Sequence, residues 1–184
     1  MKRLFIAVNI TPEPELSEIL SKFRNVLAHE RIKWTDASNM HITLAFLGDT
    51  EEGRINSLLL MLKERCSGFG SFEFFIKGSG IFKDFRDPRV IWLGTAQTDR
   101  LTRLAGKLKS GLDEIGFPTE ERQFRPHLTL GRIKSLKDSG SLRTLLEQYR
   151  DTDIQAVNVG EVILFESILM QTGPLHRVME RFAL

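Results

Sequence analysis

The sequence predicts an α+β protein built from two pseudo-symmetric lobes that face each other, and two observations carry this prediction. Strand patterns alternate with amphipathic helix patterns along the whole chain. The segment His-x-Thr-x occurs twice in strand-like surroundings, at His41 and His127, 86 residues apart in a chain of 184. A repeat at nearly half the chain length indicates internal duplication. No linker-like segment separates the halves, so we expect one bilobal domain over residues 1–184.

Each predicted element rests on a local pattern. Strands are predicted where polar and apolar residues alternate or where β-branched and aromatic residues cluster, and helices where apolar residues recur every three to four positions. Thr11 and Pro12 are typical of a helix start, with the threonine as N-cap and the proline at the first helical position. The predicted elements in chain order are strand 4–8, helix 12–28, strand 41–47, helix 55–65, strands 72–82 and 90–95, helix 99–116, strand 127–133, helix 141–149, and strands 157–169 and 177–184.

The composition is that of a soluble globular protein, with 41% hydrophobic and 27% charged residues. The net charge is only +2, but a pI of about 8.8 permits a local basic surface that would attract phosphates. Cys66 is the sole cysteine, which excludes an internal disulfide and a Cys-rich zinc site and favours a cytoplasmic setting. No apolar run approaches the ~18 residues of a membrane span, so no membrane association is expected.

The two His-x-Thr segments carry the candidate chemistry. Because side chains alternate along a strand, His41 shares a face with Thr43, and His127 shares a face with Thr129. Two such strands lining one cleft present two imidazoles and two hydroxyls to a single ligand. Histidine can act as general acid or general base at neutral pH, and hydroxyls can donate to charge that develops on a phosphate. Two such histidines are sufficient to cleave a cyclic phosphodiester by water, with no metal or other cofactor.

The remaining histidines and the aromatic residues are weaker candidates. One His-x-Thr segment would mean little because threonine is common, but two copies among only four histidines favour a paired function. His29 and His176 lack this context, and we expect them to be structural or exposed. Phe46 and Trp92 could stack on a base, but an aromatic residue in an apolar strand is more often part of a core.

Four segments along nearly the whole chain match a known family. They are residues 3–7 (RLFIA), 39–48 (NMHITLAFLG), 90–94 (VIWLG) and 125–132 (RPHLTLGR). Through them the chain resembles the two-histidine phosphoesterase superfamily, and within it the bacterial and archaeal 2'-5' RNA ligase family, also called RNA 2',3'-cyclic phosphodiesterase. The resemblance implies two lobes around a central cleft, each an antiparallel sheet with helices on its outer face.

The resemblance also implies a reaction and its catalytic residues. The reaction is hydrolysis of an RNA 2',3'-cyclic phosphate end to a 2'-phosphomonoester. His41 would donate a proton to the 3' leaving oxygen, and His127 would accept a proton from the attacking water. The reverse reaction would join RNA ends through a 2'-5' linkage without ATP, and the chain has no Gly-rich P-loop motif.

A few basic side chains are candidate contacts to the substrate. Arg132 matches a basic position common after the second motif in the family, so we expect it to contact phosphate or RNA. Arg125 and Lys33 are weaker candidates. The family often has Tyr near the position of His176, so a polar contact there is expected to differ. The expected partner is RNA with a 2',3'-cyclic phosphate end, bound by a monomer.

Three other functions stay open on the sequence. One is a phosphodiesterase for small cyclic or 2'-5' linked nucleotides. Another is a non-catalytic RNA-binding module that uses the same groove. A metal hydrolase is the weakest alternative, because two histidines with no carboxylate at ligand spacing make a poor metal site.

Overall fold

A computed structural model describes residues 1–119, 123–170 and 173–184. These residues form nine strands and four α-helices, with two short 3-10 turns at Ala37–Asn39 and Glu52–Arg54. The elements in chain order are β1 (Lys2–Asn9), α1 (Pro14–Val26), β2 (Arg31–Trp34), β3 (His41–Thr50), α2 (Ile55–Cys66), β4 (Phe72–Phe82), β5 (Val90–Ala96), α3 (Asp99–Glu114), β6 (Leu128–Ser135), α4 (Ser139–Gln148), β7 (Asp153–Val159), β8 (Glu161–Met170) and β9 (Gly173–Ala183).

The strands form two antiparallel sheets, which confirms the predicted fold class. The first sheet has the order β3-β1-β8-β9 and the second has the order β2-β6-β5-β4-β7. The strand that begins at His41 lies in the first sheet and the strand that follows His127 lies in the second, so each lobe carries one motif. Both sheets combine strands from both ends of the chain, so the lobes are interlocked and do not correspond to its two halves.

The helices cover the outer faces of the sheets. α2 contacts β9 and α3 contacts β3 on the first sheet, while α1 contacts β7 and α4 contacts β4 on the second. Strand β1 shows the division between faces: Leu4, Ile6 and Val8 belong to the main core, whereas Phe5 and Ala7 belong to a separate small cluster on the other face. That second face is the inner face, and it carries the candidate chemistry.

The strands differ from the sequence predictions in three main ways. β2 was not predicted, because four residues with two charges give too short a strand signal. The predicted strand 157–169 is two strands, β7 and β8, which belong to different sheets and meet at Gly160. The sequence pattern did not reveal this change of sheet, because the periodicity of a strand does not indicate which sheet the strand joins. The closing strand also begins at Gly173, before the predicted start at Arg177.

The first helix starts two residues later than predicted, with Pro14 at its first position. Gln155 of β7, only 8% exposed, explains the difference. Its side-chain amide donates to the carbonyl of Thr11 at 2.9 Å and accepts from the backbone N–H of Glu13 at 2.9 Å. These hydrogen bonds hold the segment before the helix against β7, so Thr11 does not act as the N-cap. No helix in the described part of the chain is long and apolar enough to cross a membrane.

Candidate active site

The two motif histidines lie on the inner faces of the two sheets, and β3 and β6 contact each other between the lobes. His41 is the first residue of β3, and Thr43 pairs with Ala7, a member of the inner-face cluster. His127 directly precedes β6, and Thr129 of that strand pairs with Trp92. The structure therefore brings both His-x-Thr segments to one cleft.

Both imidazoles are held by the same kind of hydrogen bond. Nδ1 of His41 lies 2.7 Å from the carbonyl oxygen of Asn39, and Nδ1 of His127 lies 2.8 Å from that of Arg125. A carbonyl oxygen can only accept, so in each ring Nδ1 carries the hydrogen. In the neutral rings Nε2 keeps its lone pair and is available to a ligand. Sequence reasoning did not predict this orienting contact to the carbonyl two residues earlier.

Aromatic rings pack against each histidine. Phe5 lies beside His41 with ring centroids 5.0 Å apart, and Phe82 meets His127 edge-on at 4.6 Å. Trp92 packs against Phe82 at 5.6 Å. The rings displace water from the imidazoles, so the cationic form of each histidine is disfavoured.

Burial is the main cause of lowered pKa values at the site. It lowers the pKa of His41 from 6.5 to about 4, although the hydrogen bond to Asn39 opposes the change. The positive charges of His176, Arg132 and His127 contribute further to the lowering. The pKa of His127 is also lowered, first by burial and then by the charge of Arg132. Arg132 thus lies close enough to influence both histidines.

A β-bulge places Arg132 on the inner face. Trp92 pairs with Thr129, but the next pairs along the strands skip Leu130, so Val90 pairs with Arg132. Since Trp92 and Val90 share a face of β5, Thr129 and Arg132 share a face of β6. Strict alternation from Thr129 would have turned Arg132 toward the helices.

The first motif contains the matching bulge. Ala7 pairs with Thr43, Leu44 is skipped, and Phe5 pairs with Phe46. Phe46 therefore reaches the inner face at the position that corresponds to Arg132. It is 56% exposed, so the expectation that it lies in a core is wrong. Strict alternation from His41 would place Phe46 on the outer face, so the sequence pattern did not predict its position. The skipped residue, Leu44, brings Phe46 to the inner face.

His176 was expected to be structural or exposed, and the structure places it in contact with a motif histidine. It lies in β9 opposite Ser167 and meets His41 edge-on, with ring centroids 5.1 Å apart. It also packs on Phe5 at 4.9 Å, and burial lowers its pKa. No local pattern marks His176, because the contact depends on the strand order of the first sheet. His29 is exposed, as predicted.

The other predicted contact residues, Arg125 and Lys33, are both exposed. Arg125 positions His127 through its backbone carbonyl, while its side chain is exposed. Lys33 of β2 pairs directly with Arg132. Within the described residues, no group of three or more His, Cys, Asp and Glu side chains is arranged to hold a metal ion.

Comparison with known proteins identifies the family. The sequence model of the LigT like Phosphoesterase family matches the chain twice, at residues 8–92 and 93–176. The chain belongs to the LigT-like phosphoesterase family. Each match contains one His-x-Thr segment, so the double match agrees with the internal duplication that the sequence predicted.

Relatives in this family are similar over almost the whole chain. The RNA 2',3'-cyclic phosphodiesterase of Thermotoga maritima is 38% identical over 179 residues, covering 96% of this chain and 92% of that protein. The protein of the same name from Methanothermobacter thermautotrophicus is 32% identical and covers 99% of this chain and 98% of its own. The structure of Escherichia coli LigT complexed with 3'-AMP has a TM-score of 0.73 and 26% identity, and covers 100% of this chain and 98% of that one.

Proposed function

We propose that this phosphoesterase hydrolyses RNA 2',3'-cyclic phosphate ends to 2'-phosphomonoesters by paired-histidine acid-base catalysis, without a metal ion. The observation that carries the proposal is the pair of imidazoles, His41 and His127, on facing sheets. Each is fixed through Nδ1 and each leaves Nε2 for the ligand. Relatives at 38% and 32% identity that carry the name RNA 2',3'-cyclic phosphodiesterase support the choice of substrate.

In the proposed reaction, water attacks phosphorus and the bond from phosphorus to the 3' oxygen breaks. Nε2 of His127 accepts the proton from water as the new O–P bond forms. His41, as imidazolium, gives its proton to the departing 3' oxygen, which leaves as a hydroxyl. The 2' oxygen keeps the phosphate. In the reverse direction the two histidines exchange roles, which would allow 2'-5' ligation.

The lowered pKa of His41 has a consequence for this assignment. In the free protein a pKa of about 4 leaves His41 neutral at pH 7, whereas its role as acid requires the cation. The substrate carries a negative charge, and an opposite charge near an imidazole favours its protonated form. We therefore propose that His41 takes up its proton as the cyclic phosphate binds.

Three further side chains would stabilise the transition state. Thr43 and Thr129 lie two residues from the histidines on the same faces, and neither hydroxyl has a hydrogen-bond partner among the described residues. They can donate to the non-bridging oxygens as negative charge develops there. Arg132, on the same inner face, would balance that charge.

The test is hydrolysis of a short RNA with a 2',3'-cyclic phosphate end, in excess EDTA, by the wild type, His41→Asn and His127→Asn. Asparagine keeps a donor near the position of Nδ1 but cannot transfer protons. We expect the wild type to form a 2'-phosphate and each variant to lose about 10²-fold or more in kcat. Loss of activity in EDTA that a metal restores would refute the metal-independent mechanism.

Two alternative functions appear as other outcomes of the same assay. Turnover of small cyclic or 2'-5' linked nucleotides, with none of RNA ends, would indicate a small-nucleotide phosphodiesterase. RNA binding that both variants retain, with no turnover by the folded wild type, would indicate a binding module. We also propose a cytoplasmic monomer; the buried Cys66 is the sole cysteine, and size-exclusion chromatography tests the oligomeric state.

A further inference from the structure

Two positive charges lie side by side on the inner face of the second sheet. Lys33 of β2 pairs directly with Arg132 of β6, so both side chains point to the same face. Facing residues in an antiparallel pair have Cβ atoms only about 5 Å apart, and like charges at that distance are destabilising. Both residues are exposed.

In the other strand pairs of the described residues, facing charged residues have opposite signs. Lys77 pairs with Asp153 in the second sheet and forms a 2.9 Å salt bridge with it. In the first sheet, Arg3 pairs with Asp49. Glu166 pairs with Arg177 and bonds to it. Among the strand pairs of the described residues, Lys33 and Arg132 are the exception.

No carboxylate of the described residues forms a salt bridge with Lys33 or Arg132. β2 is the edge strand of its sheet, with β6 as its neighbour. Lys33 is therefore one strand farther out in the sheet than Arg132. An anionic ligand that enters over β2 would meet Lys33 first and Arg132 next.

We propose that Lys33 binds the phosphodiester on the 5' side of the terminal nucleotide while Arg132 serves the terminal cyclic phosphate. The inference rests on the proposed function and adds a second phosphate subsite to it. Its consequence is a preference for chain ends over mononucleotides, because a 2',3'-cyclic mononucleotide has no such phosphodiester. The unfavourable pairing of like charges is then relieved when the RNA backbone binds.

The experiment compares adenosine 2',3'-cyclic phosphate with the dinucleotide ApA that ends in a 2',3'-cyclic phosphate. The enzymes are the wild type, Lys33→Gln, and the control Lys63→Gln, which removes an exposed lysine of α2 on the outer layer of the other lobe. We expect Lys33→Gln to lower the ratio of dinucleotide to mononucleotide kcat/KM about fivefold. The control should keep the wild-type ratio.

Salt dependence provides a second readout. The slope of log kcat/KM against log salt for the dinucleotide should become shallower by about 0.7 in Lys33→Gln, the amount expected for one phosphate contact on a single strand. If the ratio and the slope are unchanged in Lys33→Gln, the second subsite is refuted. Hydrolysis of both substrates by the wild type would still support the proposed function. An equal loss on both substrates would also overturn it, since Lys33 would then act at the terminal phosphate.

Failure of the proposed function can be told apart from failure of the subsite. If the wild type hydrolyses neither substrate, the proposed function fails, and binding then tests the subsite. The probe is ApA with a 2'-phosphate, compared with adenosine 2'-phosphate. Weaker binding of the dinucleotide alone by Lys33→Gln supports the subsite, and equal binding by all three proteins refutes it.

Discussion

Replacement of His41 by Asn should change how the stability of the protein depends on pH. Above pH 6.5 the imidazole is neutral in both the folded and the unfolded chain. As the pH falls from 6.5 to about 4, the unfolded chain binds a proton that folded His41 does not, so the folded state loses stability. Below about pH 4 both states are protonated and the loss is complete. The lowering from 6.5 to about 4 corresponds to about 3 kcal/mol.

The assay is urea unfolding of the wild type and His41→Asn at several pH values between 7.5 and 4, under conditions where both unfold in two states. Asparagine retains a donor for the Asn39 carbonyl but does not titrate, so the wild type should lose about 3 kcal/mol more than the variant. The contributions of His127 and His176 occur in both proteins. Parallel stability curves, or an NMR titration that places the pKa of His41 near 6.5, would refute the reasoning.

Four further substitutions test other parts of the site. Thr43→Val and Thr129→Val each remove one hydroxyl donor with little change in shape, and kcat for the cyclic phosphate should fall about 10²-fold with KM little changed. Phe46→Ala removes an exposed ring from the inner face; if the ring stacks on a base, KM in steady-state kinetics should rise about tenfold. Gly80→Ala would place a methyl group 2.4 Å from the ring of Trp92, so thermal unfolding should show a loss of about 1–3 kcal/mol, and an unchanged Tm would contradict that packing.

The features that the sequence predicted correctly are those that depend on a local pattern of residues. Alternation placed His41 and Thr43 on one face of a strand, and the second copy around His127 predicted two lobes with one motif each. The helix over Asp99–Glu114 likewise follows from apolar residues at helical spacing. Local periodicity is sufficient in these cases because burial on one side of an element is what selects the pattern.

What the sequence could not predict depends on contacts between distant strands. His176 joins the site because β9 and β3 belong to the same sheet, and no residue near it in the sequence carries that information. Thr11 fails as a helix cap because Gln155, 144 positions later, binds its carbonyl. Phe46 was misplaced because a single skipped residue reverses the alternation after Leu44.

The repeated bulge also explains how a duplicated fold can act on an asymmetric substrate. Two equivalent histidines would bind a cyclic phosphate equally well in either orientation, although only one oxygen is to leave. The bulge brings the fifth residue after each histidine to the inner face, and there the copies differ: Phe46 is aromatic and Arg132 is cationic. An aromatic side chain can stack on a base, and a cationic side chain can bind phosphate. This difference therefore adds to the asymmetry that His176, packed beside His41 alone, already gives the two histidine environments.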